Sequence, residues 1–292
     1  SVTNRLYGGG GEQRLHQEML LGIGGVRALR AWCKLSGFPA PDVYHANEGH
    51  AGFLGIERIH ELVTQQNLTF DAAMEATRAS TVFTTHTPVP AGIDRFGADQ
   101  IRHYFGGDNQ LDGVPVDRLL QLGAESFEGG DAGVFNMAVM GLRMAKYANG
   151  VSKLHGMVSR EMFHGLWPGF DYDEVPITSI TNGVHAPTWV DQRIFDVSDS
   201  YGPLESSSAK IAQFAERASD EQIWAVKHQL RETLVEMARR RTRESWIRRG
   251  ASAAELGWTD TILDPSVLTI GFARRVPTYK RLTLMLRDPA RL

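Results

Sequence analysis

Cysteine is almost absent: Cys33 is the only one among 292 residues. One thiol cannot build an intrachain disulfide framework, and such usage fits a reducing, cytoplasmic setting. No apolar run approaches the roughly 20 residues of a membrane-spanning helix. Ser1 is not followed by a basic start and an apolar stretch, so no signal peptide is expected. A dominant charge is missing too. Thirty-one Lys and Arg stand against 34 Asp and Glu, a formal net charge of -3, which excludes a generally basic nucleic-acid coat. Neither glycine-rich stretch, 8–11 or 22–25, follows a strand or leads into a Gly-Lys-Ser/Thr, so a P-loop is excluded. His45, His50 and His86 lack the HExxH spacing, and no metal is expected. The sequon Asn67-Leu68-Thr69 is read as chance.

Hydrophobic residues make up 42% of the chain, enough for one large domain or two ordinary ones. The segment 12–34 reads as a helix whose apolar face is Leu15, Met19, Ile23, Val26 and Leu29. Gly22, Gly24 and Gly25 inside it point to close packing against a neighbour. Strands are expected at 42–46, 81–85 and 177–181, and helices at 49–65, 70–79, 135–148 and 155–163. The segment 86–97 (HTPVPAGIDRFG) reads as a loop. Alternation of strand and helix makes the class α/β with a largely parallel sheet. The longest helix, 221–249, carries an apolar stripe (Ile223, Val226, Leu230, Leu234, Met237). Its arginine-rich face interleaves with Glu232, Glu236 and Glu244 and reads as solvated or ion-paired. The stretch 267–292 reads as a strand, a basic turn and a new helix. One such unit cannot bury both faces of a sheet, so it is expected to open a further, truncated domain.

Loops at the carboxyl ends of parallel strands are where open α/β sheets bind ligands. Four such loops are polar: His45–His50 (HANEGH), Thr85–Val89 (THTPV), Thr181–His185 (TNGVH) and Ala273–Arg281 (ARRVPTYKR). Neutral His and Asn offer both donors and acceptors, which suits the hydroxyls of a sugar. The same residue types also serve as caps and turn formers. The last loop gathers Arg274, Arg275, Lys280 and Arg281 at a strand-to-helix turn, a setting for phosphate. A basic rim pairing with an acidic surface is the other reading of those charges.

Six segments together resemble the glycogen and α-glucan phosphorylase family, most closely its bacterial branch. They are RLHQEMLLGIGGVRALRA, DVYHANEGHAGFLGIERI, FDAAMEATRASTVFTTHTPVPAGIDRF, FNMAVMGLRMAKYANGVSKLHGMVSREMF, ITNGVHAPTWV and LTIGFARRVPTYKR, spread over residues 5–288. The resemblance implies a two-lobed glycosyltransferase-B fold with Rossmann-like lobes, present only in part. It places 1–181 in the later part of a glucan-side N-terminal lobe. Residues 182–265 fall in a hinge and helical interdomain region, and 266–292 at the start of the cofactor and phosphate lobe. It implies an allosteric, homodimeric enzyme in which pyridoxal phosphate, held on a lysine, serves phosphorolysis of α-1,4-glucan to glucose 1-phosphate with retention. By position, His86, Asn182 and Val151 match residues at the terminal sugar, and Arg275 and Lys280 match the pair that binds inorganic phosphate. Asn47, Glu48 and His50 lie in a sugar-site loop, with Glu48 where the family carries aspartate. The family's cofactor-lysine segment, EASGTSNMK-like, has no counterpart here. None of Lys34, Lys146, Lys153, Lys210, Lys227 and Lys280 has that context, so no cofactor-binding residue is assigned and the chain alone is expected to be inactive. A glycogen-synthase-type nucleotide-sugar glucosyltransferase and a non-catalytic glucan-binding piece are the competing readings.

Overall fold

The computed structural model describes residues 2–3, 10–202, 207–271 and 281–291. Gly11–Met19 (α1) runs through a π-helical turn, Leu20–Gly24, into Gly25–Ser36 (α2). Leu15 and Val26 of the expected stripe are buried, while Met19, Ile23 and Leu29 are half-buried. The glycines do not share one cause. A Cβ at Gly22 would lie 2.7 Å from both Leu54 N and Phe53 Cβ, whereas one at Gly25 would meet nothing within 4 Å. Gly22 alone therefore lets the helical run press onto the next helical layer.

The chain continues through Tyr44–Asn47 (β1), a 3-10 turn at Gly49–Ala51, and Phe53–Gln66 (α3). Phe70–Ala79 (α4) is capped by Thr69, whose hydroxyl accepts the Ala72 amide, and leads into Thr81–Thr85 (β2). After these come Arg95–Gly97 (β3), Ala98–Phe105 (α5), Val116–Gly123 (α6) and Val134–Asn136 (β4). Met137–Arg143 (α7), Tyr147–Gly150 (β5), Lys153–Phe163 (α8) and Ile177–Ser179 (β6) complete the first of two compact units, Ser1–Gly183. Strands β1, β2, β5 and β6 form one parallel sheet in that order, and β3 pairs antiparallel with β4.

Two expectations are corrected in this unit. The segment 135–148 is not one helix: β4 ends in it, α7 is short, and β5 begins at Tyr147. Met137–Leu142 are buried throughout, so no polar face marks where the helix stops. An apolar run of that kind does not distinguish helix from strand. The pairing of Val82–Thr85 with Tyr147–Gly150 decides it. The loop after β2 also contains a strand, β3, because Phe96 pairs with Phe135 and is buried. Helix α7 lies between two cores. Met137 and Met140 join Leu15, Phe53 and Phe135, while Ala138 and Leu142 join Phe83, Phe163 and Ile177.

The second unit, Val184–Leu292, is helical. It contains Ala186–Trp189 (α9), Gln192–Asp199 (α10), Ser207–Arg217 (α11) and Asp220–Arg248 (α12), then a 3-10 stretch at Ala253–Asp260. A capping box of Ser219 and Gln222 starts α12. Three arginines of its basic face are engaged. Arg239 donates to Ile262 O at 2.8 Å and Arg243 to Leu256 O at 3.2 Å, and Arg248 lies 4.0 Å from Glu244. Val226 of its apolar stripe is buried, but Leu234 is exposed. Val267–Ile270 is irregular and exposed rather than the expected strand. A strand needs a neighbour's hydrogen-bond ladder, and no described residues run beside this one. Leu282–Leu286 is a 3-10 turn. Among the described residues no helix is long and apolar enough to cross a membrane.

Candidate functional site at the carboxyl edge of the sheet

Because β1, β2, β5 and β6 are parallel, the loops that follow them leave one edge of the sheet. At the end of β1 the chain enters Glu48, whose φ of 70° and ψ of 169° fall in a region otherwise kept for glycine. The side chain is buried and its carboxylate is fully occupied. It accepts the Gly49 amide at 3.2 Å, the His86 amide at 2.7 Å, and the Thr87 amide and hydroxyl at 2.9 Å each. Glu48 thus holds the start of the loop after β2. Its oxygens are spent on protein donors, so it bears on a ligand through the main chain of His86 and Thr87 rather than by direct contact. The His86 side chain itself is exposed.

Val151 and Asn182 are brought together by their main chains. The Asn182 amide donates to Val151 O at 3.1 Å, and the Val151 amide donates to His155 Nδ1 at 3.2 Å. The latter bond makes Nδ1 the acceptor nitrogen of a buried imidazole. The Asn182 side chain is exposed, as is that of Asn47 at the end of β1. Arg275 and Lys280, with Arg274, lie outside the described residues.

Sequence reasoning missed a polar chain across the sheet. His45 Nε2 lies 2.7 Å from Thr84 Oγ1, whose hydroxyl donates to Asn149 Oδ1 at 2.9 Å. With its one proton committed to Asn149, Thr84 accepts from His45, which fixes the Nε2–H form of that ring. Thr84 was legible near the end of the expected strand 81–85, but Asn149 was not, because β5 and its register with β2 are set by tertiary pairing.

It also missed the surroundings of His50. The imidazole Nδ1 lies 3.1 Å from Asp94 Oδ2 and 2.8 Å from Arg14 Nη2, and Arg14 Nη2 is 2.9 Å from Asp94 Oδ2. Glu18, 1% exposed, sits 3.3 Å from Arg14 Nη2 without alignment for a hydrogen bond. Burial pushes the Glu18 carboxyl up to about 7. The hydrogen bond to Asp94, helped by Glu18, raises His50 to about 9. Burial opposes ionisation of Asp94, but bonds from His50 and Arg14 hold it well below the usual carboxylate range. Ligand atoms of Glu18, His50 and Asp94 lie within 4.8 Å of one another. The Arg14 guanidinium already supplies the cation that such a cluster would otherwise attract.

The first unit is an α/β fold with a parallel sheet and polar loops at its carboxyl edge, the arrangement expected of part of a glycosyltransferase-B-like lobe. No family model matches the chain. Relatives do. The chain is 56% identical to the glycogen phosphorylases of Mycobacterium bovis and Mycobacterium tuberculosis, aligned over all of this chain and 34% of theirs. It is 38% identical to a maltodextrin phosphorylase of Thermococcus litoralis, over all of this chain and 33% of the relative. Along its whole length the chain is a homologue of glycogen and maltodextrin phosphorylases, and it spans about a third of the length of those relatives.

Proposed function

We propose that this chain supplies glucan-binding loops of an α-1,4-glucan phosphorylase, which transfers the terminal glucosyl unit of glycogen or maltodextrin to inorganic phosphate with retention. The observation that carries the reading is the meeting of the His86 loop, Val151 and Asn182 at one sheet edge, with the His86 and Asn182 side chains exposed there. Fixed main chains present these two side chains, and a neutral imidazole and an amide can each both donate to and accept from sugar hydroxyls. Asn47 lies at the neighbouring strand end and is assigned to the same surface. Arg275 would hold phosphate by a planar fork and Lys280 by a point charge. By the same reading the working enzyme is a cytoplasmic, allosteric homodimer.

Pyridoxal phosphate is the cofactor that the resemblance attaches to this activity, and its phosphate supplies proton transfer when bound. The described lysines do not fit its attachment, which needs an amine in a prepared pocket. Lys34, Lys146, Lys153 and Lys227 are exposed, and Lys210 is paired with Asp199 at 2.6 Å. The test is calorimetric titration of the 292-residue chain with maltoheptaose. His86→Ala and Asn182→Ala should each weaken binding about tenfold, the worth of one hydrogen bond at about 1–1.5 kcal/mol. Absence of binding by the parent chain, or variants that bind as it does, would overturn the reading.

A further inference from the structure

The loop from His86 to Asp94 is held at both ends by one short segment, Glu48 to His50. Glu48 takes the amides of His86 and Thr87 at its start. At its end, Asp94 meets His50 and Arg14. Facing His50 are Arg14 and Glu18 from α1 and Asp94 from this loop.

His50 Nδ1 has two neighbours with opposite demands. Arg14 Nη2, 2.8 Å away, can only donate, and Asp94 Oδ2, 3.1 Å away, is an ionised acceptor. A bare Nδ1 satisfies the first and a protonated Nδ1 the second, and one nitrogen cannot do both at once. We propose that His50 is a proton-dependent anchor for the loop 86–94: Nδ1 accepts from Arg14 when the ring is neutral and donates to Asp94 when it is charged, with buried Glu18 setting the balance.

The charges support an anchor of this kind. With His50 raised to about 9 and Glu18 to about 7, all four groups are ionised between those values, two cations against two carboxylates. Below that window Glu18 takes up a proton and the cluster carries one excess positive charge. Above it the ring gives its proton to solvent, which the half-buried imidazole can reach. The Asp94 carboxylate then keeps Arg14 and loses His50, while its carbonyl still accepts the Met137 amide at 3.1 Å, so the loop end loses a side-chain tether and keeps its main-chain one. The consequence for ligand affinity rests on the reading of this loop as a glucan contact; the anchor itself does not.

The experiment is an NMR titration of the isotope-labelled 292-residue chain across the imidazole and mildly alkaline range. The His50 ring is expected to titrate above the ordinary imidazole value, and the Ile93 and Asp94 amides to shift with the same midpoint. Glu18→Gln removes a carboxylate that favours the charged ring, so proton affinity at His50 should fall about tenfold. Asp94→Asn, a milder change at a half-buried site, should uncouple the Ile93 amide from the ring. A His50 ring that titrates at the ordinary value, or loop amides that ignore its titration, would overturn the anchor. Adding maltoheptaose separates the two ideas. Loop amides that follow His50 but never respond to maltoheptaose support the anchor and sink the glucan reading. Amides that respond to maltoheptaose but never follow His50 do the reverse.

Discussion

Removing the Glu48 carboxylate is expected to free the start of the loop at His86, and the size of the effect follows from two opposing quantities. Glu48 sits at φ 70°, ψ 169°, a conformation that costs a non-glycine residue about 1–3 kcal/mol. It is kept there by its bonds, of which those from the His86 and Thr87 amides, at 2.7 and 2.9 Å, are charge-assisted. Such bonds contribute roughly 1.5–3 kcal/mol each. Glu48→Ala keeps the strain and loses both bonds. Water recovers part of the loss at the half-buried amides, leaving about 3 kcal/mol and an exchange rate at these two amides about 100-fold faster. Glu48→Gly loses the same bonds but sheds the strain, at an extra entropic cost of about 0.5–1 kcal/mol. The glycine variant should therefore be the more stable of the two by about 1 kcal/mol, reversing the usual order of alanine and glycine. Native-state amide exchange at His86 and Thr87 reads the first effect. Urea midpoints at unchanged slope read the second. Unchanged exchange in Glu48→Ala, or an alanine variant at least as stable as the glycine one, would refute the reasoning.

Two further outcomes are expected. A Cβ at Gly141 in α7 would run into the Phe83 ring on β2, so Gly141→Ala should cost about 1–3 kcal/mol by overpacking, seen as a lower thermal midpoint in calorimetry. Stability should also fall as pH rises through neutrality. Glu18 and His50 both have raised folded-state pKa values, about 7 and about 9. Their contributions are complete below their unfolded values and are lost as pH passes the folded ones. The depressed Asp94 acts oppositely and loses its contribution only in strong acid. Urea midpoints measured across this range should decline from mildly acid to mildly alkaline conditions, and Glu18→Gln should flatten the lower half of that decline.

Much of the fold was legible because its signals are local. Phe70–Ala79 and Thr81–Thr85 lie where helix period and β-branched run place them, and the long α12 agrees within a residue at each end. The polar loops after β1, β2 and β6 were likewise visible as residue types at strand ends. Where burial is complete, the local signal disappears. In 135–148 no polar face separates α7 from β5, and only pairing with β2 divides them. At Val267–Ile270 the residues favour a strand, but a strand exists only with a partner, and none of the described residues supplies one.

The site divides along the same line. Sequence by itself placed Asn47, His86 and Asn182 in polar loops at strand ends, whereas the place of Val151 at the same edge depends on β5, which only the pairing with β2 revealed. The sequence also placed Glu48 and His50 there, but did not show what they do. That depends on groups 36 to 44 residues away in sequence, namely the His86 amide for Glu48 and Arg14 and Asp94 for His50. A carboxylate taken up by main-chain amides looks the same in a sequence as one free to meet a sugar. Only the tertiary structure, by setting the donors of one loop against the acceptors of another, assigned Glu48 and His50 to holding the loop.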